Sequence, residues 1–515
     1  MLDLLIRNAY IADGTGNPGY VADLAVEGER IVAIGRMPAA QAKAAIDATG
    51  RVLCPGFIDV HLHSEIELLA GRHTAGVQMG VTTEFICPDG MGFAPLPAGL
   101  LNDYWRYIGG VYVDRIATTG WPSVQAYLDA FSGRMHNNIV SMAPHGIIRL
   151  GARGWAIGPA TPDEMDIQKR LVREWMEAGA VGLNAGLGYA PAFYADVNEL
   201  VELCKVVAEY GGVYAAHMRN YGPQRDVSIA ETSTIADQAS VPVHIDHFGG
   251  TPEMYDSAEA ARARGIDITW DAYPYTAGCT LLSYVLPPAV FSRGIDALVS
   301  DLRQPAFRRW LDPQLEAAMP AEAPPHFACV ALEKNRWMEG KRVRDVWRDS
   351  GKSFTDFYCD LLVEEDLAPL LIYPWPDSPE ENERRLHNTL THPLQMAATD
   401  GVYVGSAAHP RGYGAYPRIL GRYVRDLKWL RLEDAIRRMT SFPAARFGLG
   451  DRGLLRKGMA ADLVIFDPNT IMDHATYESP RLPNSGIEHV FVNGKPVLSA
   501  GKLTGARPGV VVRPG

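Results

Sequence analysis

The stretch P-G-F-I-D-V-H-L-H-S-E, from Pro55 to Glu65, is the part of the sequence from which the fold can be worked out. Its apolar run from Phe57 to Val60 predicts a short strand that ends at two histidines, His61 and His63. Because strand side chains alternate between two faces, both imidazoles are expected to project from one face at the carboxyl end of the strand. That placement suits a metal ion, and two surface histidines after a buried strand are the plainer alternative.

Seven more apolar runs follow, and helical stretches alternate with them. The predicted strands end at His63, Cys87, Pro144, Asn184, His217, His247, Tyr273 and Asp400. Strands that alternate with helices form a parallel sheet, and eight such units predict a (β/α)8 TIM-like barrel. The pattern is interrupted at about 283–390 by a segment rich in proline, tryptophan and charge, which predicts an insertion after the seventh strand that could cover the site.

Both ends of the chain are rich in strand signals. Short β-rich runs separated by turn residues fill residues 1–54 and 441–515, and Asn493-Gly494 is a hairpin signal in the second of these ranges. We therefore predict one small β-sandwich domain built from both termini around a barrel at 55–440.

Composition restricts the class of protein. The 515 residues are 47% hydrophobic and 21% charged with a net charge of −11, and they lack a basic stripe, which argues against a nucleic-acid partner. We find no signal peptide and no apolar run of the ~18 residues that span a membrane. The six cysteines show no C-x-x-C spacing, which predicts reduced thiols and a cytoplasmic protein.

In a barrel of this kind, the chemistry lies at the carboxyl ends of the strands. His61, His63, His217, His247 and Asp400 all stand at such ends. Imidazoles with a carboxylate suit Zn²⁺, which activates water and polarises a carbonyl, and Asp400 would then move the proton. Singly, each histidine could be a core residue and the aspartate a turn residue. Their joint placement favours a hydrolase of amides or similar C–N bonds.

Several separated motifs resemble the N-acyl-D-amino-acid deacylase (D-aminoacylase) family of the amidohydrolase superfamily. They are PGFIDVHLH, GVTT at Gly80 to Thr83, AAHMRN, HIDHF, DAYPYTAG, TDG, HPRGYG and the carboxyl-terminal run that includes ADLVIFDP. The resemblance implies a barrel with one or two zinc ions, a small β-domain from both termini and an insertion after the seventh strand. It also implies hydrolysis of N-acyl-D-amino acids.

The resemblance assigns roles by position. His61 and His63 are similar to the ligands of the weaker metal site, His217 and His247 to those of the tighter site, and Asp400 to the acid/base. Arg411 resembles the guanidinium that holds the substrate's α-carboxylate, for which a bidentate fork is suited, and Tyr273 resembles a tyrosine whose hydroxyl meets the same group.

Two positions depart from the family pattern. Asp89 stands where the family usually has a metal-ligating cysteine, so we expect a carboxylate ligand there, ahead of Cys87 two residues earlier. Cys279 stands where the family tends to have a serine that touches the substrate. Both changes bear on the number of metal ions and on the substrate.

Three interpretations follow. The first is a zinc hydrolase acting on a small-molecule N-acyl amino acid, and the second is the same chemistry on another C–N bond, such as a cyclic amide or imide. The third is a non-catalytic, assembly-type relative, which the retained histidines and Asp400 disfavour. A homo-oligomer is left open.

Overall fold

The chain alternates strands and helices between two β-rich ends, and the computed structural model describes residues 1–112, 120–318 and 323–515. The strands are β1 (Leu2–Ile11), β2 (Tyr20–Glu27), β3 (Arg30–Gly35), β4 (Ala42–Asp47), β5 (Val52–Pro55), β6 (Phe57–Asp59), β7 (Leu62–His63), β8 (Val81–Ile86), β9 (Asn138–Ser141), β10 (Ala143–Pro144), β11 (Gly182–Gly186), β12 (Val213–His217), β13 (Val243–Ile245), β14 (Ile268–Ala272), β15 (Ala277–Leu281), β16 (His326–Cys329), β17 (Leu370–Pro374), β18 (Gln395–Ala397), β19 (Gly401–Val402), β20 (Leu463–Phe466), β21 (Ile487–Val492), β22 (Lys495–Ser499) and β23 (Lys502–Leu503).

The α-helices are α1 (Glu65–Leu69), α2 (Ala75–Gln78), α3 (Ala98–Tyr107), α4 (Val124–Asp129), α5 (His145–Arg153), α6 (Pro162–Glu177), α7 (Val197–Glu209), α8 (Arg225–Ala239), α9 (Asp256–Ala263), α10 (Ile295–Asp301), α11 (Pro305–Ala318), α12 (Val343–Ser350), α13 (Phe354–Glu364), α14 (Pro379–Thr391), α15 (Arg411–Arg418), α16 (Leu432–Met439) and α17 (Ser441–Arg446). Short 3-10 turns lie at Pro88–Gly90, Ala192–Tyr194, Pro252–Met254, Leu282–Val285, Pro288–Arg293 and Glu333–Met338, and a π-helical segment lies at Ile419–Asp426. Across the described ranges, no helix is both long enough and apolar enough to cross a membrane.

Eight parallel strand positions close into a barrel. Pairing runs from β6 through β8 to β9, and from β10 through β11, β12, β13 and β14 to β18. Strands β9 and β10 are consecutive stretches of one strand that is interrupted at Met142. Strand β19, which follows β18, pairs in parallel with β7, which follows β6, and this joins the eighth position to the first. The predicted (β/α)8 barrel is confirmed.

The first barrel strand is interrupted just where its histidines lie. Strand β6 ends at Asp59 and β7 begins at Leu62. The Asp59 carboxylate accepts hydrogen bonds from the backbone N–H of His61 at 3.3 Å and of Thr399 at 3.0 Å. Simple strand alternation therefore does not extend across this break. His61 and His63 nevertheless meet, with ring centroids 5.8 Å apart.

The segment between the seventh and eighth strands forms its own layer. Its antiparallel sheet has the order β15-β17-β16, and helices α10 to α14 surround or follow it. This sheet begins at Ala277, earlier than the predicted start at 283, because β15 pairs with β17 from Ala277 opposite Pro374 onward. Residues 319–322 of the predicted insertion lie outside the described part of the chain.

The two ends of the chain share one nine-stranded sheet. Its order is β23-β22-β21-β20-β5-β1-β2-β3, with β4 paired to β1. Strand β20 is antiparallel to β5, with Leu463 opposite Pro55. Alternate residues of β20 pack into two different apolar cores. Leu463 and Ile465 pack in the core of the small domain, whereas Val464 packs with Tyr416 and neighbouring residues of the barrel. The small domain therefore packs against the barrel through the face of its sheet that carries Val464.

The floor of the barrel is closed by the end of the chain. Val512 belongs to the apolar cluster that contains Ile58, Val140 and Phe447. The backbone N–H of Ile139 donates to the carbonyl of Val510 at 3.0 Å, and that of Val512 donates back to Ile139 at 2.8 Å. The opposite end of the barrel, where the strands finish, carries the polar residues described next.

Candidate metal centre

Asp89 lies at the centre of four histidines, of which His61, His63 and His217 are buried and His247 is partly exposed. Its Oδ1 atom is 3.5 Å from His61 Nε2, 3.5 Å from His217 Nδ1 and 3.6 Å from His247 Nε2. Its Oδ2 atom is 3.6 Å from His63 Nε2. The segments at the ends of several barrel strands therefore bring their donor atoms to a single carboxylate.

These separations fit a shared cation better than direct hydrogen bonds. Ligand atoms about 2.0–2.1 Å from a tetrahedral Zn²⁺ lie roughly 3.4 Å apart. Asp89 Oδ1 and both ring nitrogens of His61 are buried without a hydrogen-bond partner in the described structure. Burial opposes a charge on His61, but the carboxylates of Asp89 and Asp246 outweigh it and raise its pKa well above the usual value. The site favours positive charge, and its imidazole–carboxylate donor set fits zinc.

A tight turn presents Asp89 to the histidines. Cys87 and Asp89 both adopt left-handed backbone conformations, with φ of 68° and 52°. The backbone N–H of Cys87 donates to Glu65 Oε1 at 2.7 Å, and that of Gly90 donates to Asn184 Oδ1 at 3.1 Å. Burial raises the pKa of the Cys87 thiol well above its usual value. Cys87 packs in the main apolar core and Asp89 faces the histidines, as expected from its position.

Asp400 faces the same cluster from the eighth strand. Its backbone N–H donates to the carbonyl of His61 at 2.7 Å. Its Oδ1 atom is 3.7 Å from His61 Nε2 and 3.5 Å from His63 Nε2, and Oδ2 is 2.9 Å from a terminal nitrogen of Arg411. Burial would raise the pKa of Asp400, but Arg411 and the histidines lower it below its usual value. These neighbours therefore favour the ionised form of the carboxylate.

Arg411 supplies a buried cation beside Asp400. Its side chain is fully buried at the start of α15, and its guanidinium carbon lies 4.4 Å from the ring centroid of Tyr273. Apart from the ion pair with Asp400, its three guanidinium nitrogens have no hydrogen-bond partner among the described residues. Burial raises the pKa of Tyr273 to about 12, so its hydroxyl stays protonated. Both groups can donate to an anion.

Cys279 lies on the first strand of the insertion sheet, opposite Ile372. Burial raises the pKa of its thiol to about 12, with Arg411 and Asp400 acting in opposite directions. A thiol held in this protonated form is a weak donor and a small apolar surface.

Two carboxylates that contact His61, those of Asp246 and Asp271, were not predicted from the sequence. Asp246 Oδ1 lies 3.6 Å from His61 Nδ1, and Asp271 Oδ2 lies 3.9 Å from the same atom. Asn184 donates to Asp246 at 3.0 Å, and the backbone N–H of His247 donates to Asp271 at 2.9 Å. Asp271 lies on β14 and Asp246 follows β13 directly, so their places at the ends of two predicted strands could have revealed them.

The insertion reaches the centre through aromatic residues. The Tyr284 hydroxyl lies 3.4 Å from His217 Nε2, the ring nitrogen that faces away from Asp89. A cavity of about 210 Å³ opens beside the centre, and its wall includes His247, Tyr273 and Trp375. A substrate in this cavity would touch the candidate metal centre, the candidate carboxylate site and the insertion together.

Comparison with known proteins identifies the family. The sequence profile described as "Amidohydrolase family" matches residues 44–222 and 377–498. A D-aminoacylase from Alcaligenes xylosoxydans xylosoxydans is 34% identical over 529 aligned residues, which cover 99% of this chain and 97% of that protein. The N-acyl-D-glutamate deacylase of the same organism is 30% identical, covering 99% and 96%.

Comparison with solved structures supports the same family. The crystal structure of a D-aminoacylase matches with a TM-score of 0.82 and 31% identity, covering 100% of both chains. N-acyl-D-glutamate deacylase from Bordetella bronchiseptica, complexed with zinc and a phosphonate inhibitor that mimics the tetrahedral intermediate, matches with a TM-score of 0.80 and 28% identity, covering 99% of both chains. The chain belongs to the amidohydrolase family, among the D-aminoacylases or N-acyl-D-amino-acid deacylases.

Proposed function

We propose that this protein is a zinc-dependent amidohydrolase that converts N-acyl-D-amino acids to a carboxylate and a free D-amino acid. The observation that carries the proposal is the Asp89 carboxylate placed among four histidines, with Asp400 and Arg411 on one side. The named activities of its relatives supply the substrate class and the D configuration.

The candidate ligands form two groups, and the Asp89 carboxylate belongs to both. His217, His247 and Asp89 would hold one ion, and His61 and His63 would hold a second, with Asp89 between the groups. When bound, zinc would polarise the amide carbonyl and bring the pKa of a water molecule to roughly 7. An open coordination position suits a catalytic site better than a closed structural one.

Asp400 is the proposed acid and base. As an ionised carboxylate, it accepts the proton released by the attacking water and then delivers that proton to the departing amine nitrogen. The backbone bond to His61 fixes its position, and Arg411 stabilises its charged form.

Arg411 and Tyr273 are the proposed anchors for the substrate's α-carboxylate. The guanidinium nitrogens that do not face Asp400 remain available as a planar fork, and the Tyr273 hydroxyl adds a donor. An amino acid held there places its acylated nitrogen toward the histidines, along the wall of the shared cavity.

The test is a substrate panel with the zinc-loaded protein. N-acetyl-D- and N-acetyl-L-amino acids and several cyclic imides are incubated with it, and free amine or ring opening is measured. Release from D-substrates alone is expected, with Asp400→Asn as the inactive control. Metal-loaded protein that leaves every acyl amino acid intact would contradict the proposal, and ring opening would identify another C–N bond as the target.

We also propose a cytosolic location. All six cysteines are free thiols and five of them are buried, which is the state expected in a reducing compartment. Fractionation of the native host, with the protein in the membrane-free cytosolic fraction, is the expected outcome.

A further inference from the structure

Glu65 is a fully buried carboxylate next to the candidate metal centre, and both of its oxygens are in use. Oε1 accepts the backbone N–H of Cys87 at 2.7 Å, and Oε2 accepts the hydroxyl hydrogen of Tyr112 at 2.7 Å. When ionised, the Glu65 carboxylate can only accept, and in this form the direction of both bonds is fixed.

The bond to Tyr112 determines which nitrogen of His63 is free. The Tyr112 oxygen lies 3.2 Å from His63 Nδ1. Because the hydroxyl hydrogen is already donated to Glu65, the Tyr112 oxygen must accept, and His63 Nδ1 must carry a hydrogen. In the neutral imidazole, which is the form that binds a metal, His63 Nε2 is then the unprotonated nitrogen, and it lies 3.6 Å from Asp89 and 3.5 Å from Asp400. Only that tautomer can bind a metal through Nε2.

The second hydrogen bond of Glu65, which it accepts from the Cys87 N–H, affects the turn that carries Asp89. Cys87 begins the turn that presents Asp89, and both residues have a left-handed φ that is unfavourable for non-glycine residues. A buried hydrogen bond at the first amide of that turn holds the conformation in place. One carboxylate thus connects His63 and Asp89, which come from two different strands.

We propose that Glu65 is a positioning residue for the metal centre: through Tyr112 it sets the tautomer of His63, and through the Cys87 amide it holds the turn that aims Asp89. The proposal rests on the metal centre of the proposed function. It extends that function to a residue that does not itself touch the ion or the substrate.

The substitution Glu65→Gln separates this role from simple packing. The Cys87 N–H requires the oxygen of the substituted side chain, so the amide NH₂ of that side chain must face Tyr112 and donate to its oxygen. Tyr112 must then donate its own hydrogen to His63 Nδ1. His63 switches to the tautomer with a hydrogen on Nε2, which blocks the metal-facing nitrogen. Shape is nearly unchanged, but the direction of hydrogen bonding is reversed.

The experiment is a zinc titration of the metal-free protein against a chromophoric chelator, for the wild type, Glu65→Gln, Tyr112→Phe and the double variant. Changes behind a metal ligand typically weaken binding about 10–100-fold. Glu65→Gln is expected to raise the Kd for the zinc ion held by His63 at least about tenfold. Tyr112→Phe should raise this Kd by less, because it removes the hydrogen bond to Nδ1 without reversing the tautomer. The double variant lacks the Tyr112 hydroxyl that would force the wrong tautomer, so its Kd should return to that of Tyr112→Phe.

That rescue is the decisive result, because lost packing would make the double variant weaker than either single variant. Unchanged zinc affinity in Glu65→Gln, or no rescue, would overturn the inference while the proposed function stands. A wild-type protein that binds no zinc would remove both. Thermal melting checks folding, and if Glu65→Gln does not fold, wild-type affinity in Tyr112→Phe overturns the inference on its own.

Discussion

Asp89 is the residue on which the candidate centre depends most directly, since its two oxygens face all four histidines. Burial alone would raise the pKa of its carboxyl, but His61 and His217 hold it well below its usual value. The Asp89 carboxylate therefore contributes its negative charge, as well as its shape, to the candidate metal centre.

Asp89→Asn keeps the shape and removes the charge. We expect its zinc affinity to fall by more than the roughly 10–100-fold typical of changes behind a ligand. Asp89→Cys, which offers a thiolate, should keep stoichiometric zinc. Metal content after dialysis, together with a chelator titration, measures both. Equal affinity in wild type and Asp89→Asn would show that the carboxylate is not a ligand.

Arg411 can be tested for its proposed contact with the substrate. Lysine cannot reproduce a bidentate fork, so Arg411→Lys should raise KM for N-acyl amino acids at least tenfold, which is about 1.4 kcal/mol. KM for neutral amides without an α-carboxylate should change little. Arg418→Lys is the matched control, since Arg418 lies at the other end of α15 and pairs with Asp473. Equal effects on charged and neutral substrates would remove Arg411 from the carboxylate site.

At the level of single residues, local sequence pattern was a good guide where a candidate site residue ends an apolar strand or follows it closely. His217 ends β12, and Asp400 follows β18 by three residues, as the pattern predicts. The pattern could not predict Glu65 with Tyr112, because their pairing depends on a contact between residues 47 positions apart. Nor could it predict the break between β6 and β7, which the buried Asp59 stabilises through backbone bonds to His61 and Thr399.

Among the helices, α7 carries two glutamates in very different surroundings. Glu199 is buried against Arg149, with side chains 2% and 0% exposed, and Glu202 pairs with Lys169 at the surface, 39% exposed. The pKa of each is lowered to about 2. Burial opposes this shift at Glu199 and is outweighed by His145 and Arg149. The buried pair should contribute to stability and the exposed pair very little.

Glu199→Gln leaves the Arg149 charge buried and unpaired, so we expect a loss of about 3–5 kcal/mol in the free energy of unfolding at pH 7. Because the folded-state pKa of Glu199 is depressed, its contribution is complete above its ordinary value of 4.5 and is lost as the pH falls toward about 2. The deficit of Glu199→Gln should therefore shrink below pH 4.5.

Denaturant midpoints measured at several pH values check this expectation. Glu202→Gln, on the same helix, is the matched control and should cost less than about 1 kcal/mol. A Glu199→Gln deficit no larger than that of Glu202→Gln would show that the buried pair contributes no net stability.

At the scale of elements, alternation of strands and helices predicted the barrel well, because each βα unit leaves a local signal. The insertion was predicted to start at about 283, and β15 begins to pair with β17 at Ala277. Residues from Ala277 continue an apolar run that is indistinguishable from a barrel strand until β17, which lies far along the chain, is known to pair with it antiparallel.

Over the whole molecule, the chain's last residues hold the barrel floor. Ending the chain after Pro508 removes Val512 and both backbone bonds to Ile139, so we expect a loss of at least about 2 kcal/mol. Ending it after Arg513 removes only exposed residues and should leave the melting temperature unchanged. Thermal melting of the two truncated proteins makes the comparison, and equal melting temperatures would show that Val512 does not close the floor.

The shared sheet of the two termini has a consequence for synthesis on the ribosome. Strand β5 pairs with β20, which follows about 400 residues later in the chain. At about 5–20 residues per second, the ribosome makes β20 roughly 20–80 s after β5. Until then, the edge of β5 that pairs with β20 has no partner strand. The nascent chain therefore carries an exposed sheet edge throughout translation of the barrel, and its yield of folded protein should depend on chaperones that bind such edges early.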